Sequence, residues 1–227
     1  MTLRLFYHPF SSFCQKATMA LFERGVPFEG EIIDLGDTIH RARLEELWPI
    51  AKFPVLLDEE SGETVAEASL IVEYADRFGS APPLVPIERD EALRVRLWDR
   101  LFDLYVDVPL QKIVADHMRP EGSSDPHGVG EAKALLARAY SAAEEELART
   151  GAEWICGETL SMADCAAAPA LFYANIVVPF GGQPQLSAYF DRLLARPSFA
   201  RAVDEARPYR PLFPPGWPPQ YPAGEGR

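Results

Sequence analysis

Two hydroxyl groups and a thiol lie close together near the start of the sequence, within residues 11–14. Such groups act in proteins as nucleophiles or as partners that activate one. Alternating apolar residues before this segment predict a strand, and apolar residues at helical spacing after it predict a helix, whose N-terminus would stabilise an anion. Residues 12–15 form a Ser-x-x-Gln capping box, so we interpret Ser12 as the helix cap. Ser11 is then free at the mouth of the helix.

Two further segments have the composition of ligand contacts. Pro54 enters a predicted strand after Phe53. Prolines at such positions are ordinarily trans, but a cis bond would turn the backbone N–H and C=O of Phe53 toward a peptide-like ligand. Glu67 begins a predicted helix, where an acidic residue also simply complements the helix dipole. Ser161 and Asp164, by contrast, have the spacing of a capping pair, and we expect a structural role for them.

The elements that must position these residues form two groups. Residues 1–79 alternate short strands and helices in the order β-α-β-α-β-β-α, and the proline-rich residues 80–87 are predicted to be a linker. Residues 88–207 have helical periodicity, with a polar loop over residues 119–130. One apolar stripe precedes Pro109, which should kink or end its helix. This stripe consists of Leu93, Leu97, Leu101, Leu104, Tyr105 and Val108.

Residues 208–227 contain seven of the 21 prolines of the chain. We expect them to be neither helix nor inner strand, because proline donates no backbone hydrogen bond. The segment is therefore predicted to be an extended tail that packs back over the all-α domain or over a pocket.

Composition excludes several classes of function. The 227 residues are 48% hydrophobic, enough for a core, and carry a formal net charge of −12, which repels nucleic acid and anionic membranes. Three scattered cysteines fit a reducing compartment. No signal-peptide core and no run of 18 apolar residues is present, so we expect a cytoplasmic protein without a membrane partner. The histidines and cysteines lack ligand spacing, and no metal site is predicted.

These features, in this order, resemble the cytosolic glutathione transferases. The resemblance covers about residues 3–207 and includes Ile71 and Tyr74 at fixed offsets from Glu67. It implies a thioredoxin-like N-terminal domain, an all-α C-terminal domain, a cis bond before Pro54 and usually a homodimer. It also implies glutathione as co-substrate and a small electrophile as the second substrate.

The resemblance also suggests residue roles at the first helix. Ser11 falls where serine-type members, such as the zeta class, carry their catalytic serine, and where omega members carry a reactive cysteine. The alternates are Ser12, Cys14 and Tyr7. Cys14 would hold the buried resolving position of a redox site, and Tyr7 lies near the position of the catalytic residue in tyrosine-type members.

The γ-glutamyl site of the family departs from its usual pattern here. Glu67 takes the acidic position, but Ala68 replaces the usual serine and leaves only its backbone N–H. Loss of that hydroxyl weakens binding by about 1.5–3 kcal/mol, unless a one-residue slide lets Ser69 substitute. Trp48 stands where the family usually has asparagine before a proline, a second departure.

The resemblance also implies contacts for the glycine end of glutathione and for the electrophile. Lys52 stands where some members have a glutamine that meets the glycine end of glutathione, and Phe53 and Pro54 would pair with its peptide. Aromatic and aliphatic residues of both domains are candidate walls of the electrophile pocket: Phe10, Phe102, Tyr105, Val106, Phe172 and Tyr173.

Three functions are compatible with this pattern. The first is a transferase that conjugates the glutathione thiolate to a small, apolar electrophile. The second is a non-catalytic ligand-binding or interaction protein on the same fold, which the departures at Trp48 and Ala68 would favour. The third is thiol–disulfide exchange through Cys14.

Overall fold

The computed structural model describes residues 2–219 and residue 221. The predicted element order of the first 79 residues is confirmed: β1 (Leu3–Tyr7), α1 (Ser12–Glu23), β2 (Glu29–Ile32), α2 (Thr38–Leu47), β3 (Val55–Asp58), β4 (Thr64–Ala66) and α3 (Ala68–Ala75). The rest is helical, as predicted: α4 (Arg89–Leu101), a π-helical turn (Phe102–Asp107), α5 (Val108–Asp116), α6 (Pro126–Thr150), α7 (Met162–Val177), α8 (Pro184–Ala195), α9 (Pro197–Ala206) and a 3₁₀ helix (Arg207–Leu212).

The four strands form one mixed sheet in the order β2-β1-β3-β4. Strand β1 is parallel to β2 and antiparallel to β3, and β3 is antiparallel to β4. Helices α1 and α3 cover one face, where Leu3, Leu5 and Ile71 are buried together. Helix α2 covers the other face and buries Leu44 there. This is the thioredoxin-like arrangement that the family resemblance implies.

Helix α1 also belongs to the core of the helical domain. Its residues Met19 and Ala20 pack into a cluster dominated by α4, α6 and α7. The same helix therefore touches the sheet on one side and the helical domain on the other, and its N-terminus emerges between them.

The helix before Pro109 ends as the proline predicts. Helix α4 stops at Leu101, and a π-helical turn leads into α5, where Pro109 lies in the first turn. A first-turn residue needs no intrahelical N–H partner, so proline is tolerated there.

Helix α4, the π-helical turn and α5 together form a rod, and most of the predicted apolar stripe on it faces outward instead of into the core; Leu101 is partly buried and packs against the core. Leu93 and Leu97 are 67% and 63% exposed, and Leu104 and Val108 are about half exposed. The core is reached by other residues of the rod, including Val95, Trp98 and Phe102. Helical periodicity identifies an apolar face but not what covers it.

Two predicted boundaries are wrong. Helix α6 begins at Pro126, inside the expected loop, because proline suits the first helical turn and Asp125 caps it by accepting from the Gly128 N–H at 2.8 Å. The proline-rich tail is not wholly extended: residues 207–212 form a 3₁₀ helix with Pro208 in its first turn and Pro211 inside it, because the fixed φ of proline lies within the range of a 3₁₀ helix. Residues 220 and 222–227 of the predicted tail lie outside the described residues.

The expected capping box at α7 is present and forms part of a larger buried network. The Asp164 carboxylate accepts from the Ser161 N–H and from the Ser161 hydroxyl, both at 2.8 Å. It also accepts from the Tyr189 hydroxyl at 2.6 Å and from the Ile155 N–H at 3.1 Å. One fully buried carboxylate thus ties together α7, α8 and the loop before α7. Within the described part of the chain, no helix combines the length and apolar character needed to span a bilayer.

Replacing Asp164 by alanine should lower the free energy of unfolding by about 3–5 kcal/mol, because several buried donors lose their acceptor at once. Urea denaturation measures this value. The matched control is Asp191→Ala, since Asp191 is an exposed residue of α8, and it should change stability by no more than about 0.5 kcal/mol. Equal losses in the two variants would contradict the central role of Asp164.

Candidate active site

Strand pairing brings three segments of the chain to one edge of the sheet. Phe6 of β1 pairs with Val55 of β3, and Val55 pairs with Ala66 of β4. The turn into α1 follows β1, the cis-proline segment precedes β3, and Glu67 follows β4. The candidate residues on these segments therefore lie in one row along the sheet edge.

Ser11, and not Ser12, caps helix α1. Ser11 has extended backbone geometry, and its Oγ accepts a long 3.4 Å hydrogen bond from the Cys14 N–H. The assignment of the cap to Ser12 is wrong because the Ser12 hydroxyl instead donates to a carboxylate oxygen of Asp107 at 2.8 Å. A cap uses only a lone pair of the hydroxyl oxygen. The Ser11 hydroxyl also makes a side-chain hydrogen bond with the Cys14 thiol, a contact that acts to lower the pKa of that thiol.

Cys14 is buried and its thiol stays protonated. Burial raises its pKa to about 12, against the smaller effect of its hydrogen bonds with Ser11 and with the His8 N–H. Such a thiol is ionised to roughly one part in 10⁵ at neutral pH. The thiolate is the reactive form, so Cys14 is poorly suited to nucleophilic attack.

Tyr7 lies in a different groove. Its ring covers Gly30 of β2, where a Cβ atom would come within 2.8 Å of the ring. The groove has a volume of about 510 Å³ and is also lined by Phe28, Arg201 and Glu205. Neither Ser11 nor the cis-proline segment lines it, which separates Tyr7 from the row of candidate residues.

The peptide bond between Phe53 and Pro54 is cis, as the resemblance implies. The Phe53 ring stacks on the His8 ring at 6.2 Å, which links this segment to the turn before α1. Lys52 is exposed beside them, and within the described residues its ammonium group forms no ion pair. The segment therefore offers a backbone edge and an exposed positive charge, and its Phe53 ring reaches the turn before α1.

Glu67 and Ala68 lie at the N-terminus of α3, as expected. Glu67 is exposed and has a φ of +74°, an unfavourable conformation for a residue with a side chain. Ala51, just before the cis-proline segment, has a φ of +51°. Backbone strain of this kind is concentrated at ligand-binding sites. Both strained residues adjoin segments of the candidate row.

Ser69 does not belong to this row. Its hydroxyl accepts from the Lys16 ammonium at 2.8 Å and donates to Asp99 at 2.8 Å. Lys16 in turn lies 2.6 Å from Asp99 and 2.7 Å from Asp103. We call these four residues the buried ion cluster. Because its hydroxyl is engaged there, Ser69 cannot replace the hydroxyl that Ala68 lacks.

The expected pocket walls divide into three groups. Phe102 and Val106 are fully buried in the helical core, and Tyr105 is half exposed in the π-helical turn. Phe10, Phe172 and Tyr173 do come together, with the Phe10 and Tyr173 rings 5.4 Å apart and the Phe172 and Tyr173 rings 5.2 Å apart. Only this last group forms an aromatic surface beside Ser11.

The C-terminal strap, defined as residues 207–219 and 221, lies on this aromatic surface. The Trp217 ring is 6.0 Å from that of Phe10, 5.8 Å from that of Phe172 and 6.3 Å from that of Tyr173. Phe213 contacts the same group, and Tyr221 contacts Phe172. We expected the tail to pack over the helical domain or over a pocket; these contacts place it against α7 of the helical domain and against Phe10 in the turn before α1.

Several residues around the site went unnoticed in the sequence. Asp99, Asp103 and Asp107 recur at intervals of four, which puts three carboxylates on one helical face. All three are buried, on the side of the rod that packs against the core. Lys16 stands among buried residues of α1. Charged residues at regular helical spacing, next to apolar residues, were the pattern from which these buried charges could have been predicted. No group of three or more potential metal ligands forms within the described residues.

Comparison with known proteins identifies the family. Residues 10–77 match the N-terminal domain of glutathione S-transferases, and residues 106–197 match their C-terminal domain. The chain belongs to the glutathione S-transferase family.

Individual relatives are distant but cover almost the whole chain. A probable maleylacetoacetate isomerase of Vibrio cholerae is 27% identical over 92% of this chain and 98% of its own. A stringent starvation protein A homolog of Pasteurella multocida is 26% identical over 91% and 92%. The crystal structure of a glutathione S-transferase from Methylobacterium radiotolerans, in complex with glutathione sulfonate, matches with a TM-score of 0.78 and 26% identity over 89% and 95%.

The free energy of unfolding should depend on pH through the Asp107 carboxyl. Burial raises the pKa of this carboxyl to about 7, above its ordinary value near 4. Between about pH 4 and 7 the folded state keeps a proton that the unfolded chain releases, so this group lowers stability as the pH rises, by up to about 4 kcal/mol.

The variant Asp107→Asn removes this titration while preserving a similar shape. Relative to the wild type, it should therefore gain stability steadily from about pH 4 to pH 7. Urea denaturation at a series of pH values measures the difference. A difference between the two proteins that does not change with pH would contradict the assignment.

Proposed function

We propose that this protein is a glutathione transferase that uses the N-terminus of α1 to hold the glutathione thiolate. The observation that carries the proposal is the position of the Ser11 hydroxyl, which caps the first turn of α1 and so lies among the helix N–H groups that would meet a bound anion. The cis-proline segment and the N-terminus of α3 lie beside it in the same row. Such a row suits an extended tripeptide.

The energetic requirement for activation is modest. A free thiol with a pKa near 8.5 is only about 3% ionised at pH 7, and lowering that value by about two units makes it roughly three-quarters thiolate. This shift corresponds to about 2.7 kcal/mol. One hydroxyl donor together with the N–H groups of a helix N-terminus is a sufficient source.

The rest of glutathione would be held at its two charged ends. Lys52 is an exposed cation beside the cis-proline segment and suits the glycine carboxylate. The backbone N–H of Ala68 and the Glu67 carboxylate, at the N-terminus of α3, suit the γ-glutamyl group. The missing hydroxyl at Ala68 is expected to weaken this end. Phe10, Phe172 and Tyr173 would then border the electrophile, whose apolar part they suit.

A non-catalytic role is the second candidate. The relative from Pasteurella multocida is not named for a reaction, and the missing hydroxyl at Ala68 weakens the case for tight glutathione binding. Thiol–disulfide exchange is the weakest candidate, because the Cys14 thiol is buried and its pKa is raised to about 12.

We also propose that the protein is a homodimer. The exposed stripe of Leu93, Leu97, Leu104 and Val108 presents apolar side chains on one face of the rod formed by α4 and α5. Soluble monomers rarely leave so continuous an apolar face uncovered. A second copy of the chain would cover it.

Replacing Ser11 by alanine should reduce kcat/KM with an aryl halide and glutathione by about 10- to 150-fold, the effect of losing a hydrogen bond to a charged group. It should also raise the pKa of bound glutathione, which the ultraviolet absorbance of the thiolate reports. Ser11→Thr should restore much of both, because threonine retains the hydroxyl.

Cys14→Ser is the matched control at the neighbouring turn and should retain most of the activity. The opposite pattern, with activity lost in Cys14→Ser and kept in Ser11→Ala, would favour thiol–disulfide exchange. A protein that neither binds immobilised glutathione nor turns over would favour the non-catalytic role.

Replacing Leu97 by glutamate should convert the dimer to a monomer, because a charge at the centre of an apolar interface is left unpaired. Analytical ultracentrifugation measures the mass. The control is Ile39→Glu, a change at an isoleucine of α2 that is even more exposed than Leu97, and it should leave the dimer intact. A wild-type protein that sediments as a monomer at micromolar concentration would contradict the proposal.

A further inference from the structure

The C-terminal strap puts an indole ring where a substrate of the proposed reaction would bind. Trp217 contacts Phe10, the residue directly before Ser11, and it contacts Phe172 and Tyr173 of α7. These three rings belong to the body of the protein, whereas Trp217 belongs to a segment that crosses it. The body therefore provides a slot, and the strap fills it.

The contacts of the strap are of a kind that a ligand can replace. They are mainly edge-to-face and tilted ring contacts, and Arg210 lies over the Trp217 ring at 4.8 Å. The Tyr221 hydroxyl adds a hydrogen bond to the Phe172 carbonyl and is also hydrogen-bonded to the Asn175 side chain. After the 3₁₀ helix the strap forms no helix or strand within its described residues. Such ring contacts form equally well with another flat aromatic molecule.

Trp217 is also imperfectly accommodated. Its indole N–H is buried and finds no acceptor within the part of the chain that the structure describes. A buried donor without an acceptor is penalised in free energy, and this penalty disappears when the ring returns to water. The slot between Phe10, Phe172 and Tyr173 therefore suits a flat ring of this size better than it suits the indole of tryptophan, whose N–H it leaves unpaired.

The start of the strap touches the other half of the site. The Tyr209 ring packs edge-on against His8 at 4.5 Å, and His8 stacks on Phe53 of the cis-proline segment. One strap thus borders the proposed glutathione side through Tyr209 and fills the neighbouring slot through Trp217.

We propose that Trp217 is a built-in occupant of the electrophile pocket, and that planar aromatic electrophiles bind by displacing it. This inference rests on the proposed transferase function, because only a transferase would use the bound molecule as an electrophile. The displacement itself is a binding event that requires no turnover. Trp217 then determines specificity: the pocket admits flat aromatic molecules that can take its place between Phe10, Phe172 and Tyr173.

The first test follows displacement in the wild-type protein with 2-naphthol, an unreactive planar probe. Protein labelled with 5-fluorotryptophan should give one fluorine resonance for each of its four tryptophans, and Trp217→Phe identifies the one of interest. Saturation with the probe should move the Trp217 resonance toward the position of a solvent-exposed indole and leave those of Trp98 and Trp154 in place. An unmoved Trp217 resonance, or no binding of the probe by calorimetry, would overturn the proposal.

The second test measures the competition through variants. Trp217→Ala should bind 2-naphthol at least tenfold more tightly than the wild type. Tyr221→Phe should bind it severalfold more tightly, because the strap loses the hydroxyl that bonds the Phe172 carbonyl and Asn175. The control is Leu212→Ala in the same strap, since Leu212 is 63% exposed, and its affinity should stay within twofold. Unchanged or weaker binding in Trp217→Ala would mean that the ring is a wall of the pocket and would overturn the proposal. Tighter binding in that variant without displacement in the wild type would mean that the probe fills only the engineered cavity, and would overturn it as well.

Kinetics separates this inference from the proposed function. If the protein is a transferase, Trp217→Ala should lower KM for a planar aryl halide and leave KM for glutathione unchanged. If no variant turns over, the transferase proposal fails while the two binding tests still decide the role of Trp217.

Discussion

The buried salt bridges of Lys16 hold the two halves of this protein in one arrangement. Lys16 lies on α1, and its ammonium group contacts Asp99 of α4 and Asp103 of the π-helical turn, with Ser69 of α3 as a third partner. A buried charge must be paired, because each unpaired group would cost several kcal/mol. Because Lys16 must contact all three partners at once, the orientation of α1 relative to the helical domain is restricted.

The position of α1 in turn determines the site. Its N-terminus carries the Ser11 cap and faces the row formed by the cis-proline segment and the start of α3. One residue farther along, the Ser12 hydroxyl donates to Asp107, which fixes the first turn of the helix against the helical domain. A helix terminus so restrained can present its N–H groups to a ligand without reorganising, and preorganisation of this kind is what stabilises a developing anion most.

Ser11 and the α4 stripe show where sequence reasoning succeeded and where it stopped. The motif at residues 12–15 located the helix start to within one residue, but two adjacent serines compete for the cap, and a long-range carboxylate decided between them. The apolar period of residues 93–108 predicted a helix, yet it could not distinguish a face packed inside the chain from one that is left exposed. In both cases the deciding contact comes from a residue distant in the sequence.

The sequence by itself determined the element order and the capping of α7 by Ser161 and Asp164. It also placed the proline at position 54, whose cis bond the family resemblance implied and the structure decided. These features depend on local patterns, because hydrophobic period, proline and capping residues act within a few positions of the chain. Only the tertiary structure decided that Ser69 is engaged by Lys16, that Cys14 is too buried to ionise, and that Trp217 lies against Phe10. Those outcomes depend on burial and on which distant side chains meet, and neither is a property of any single segment.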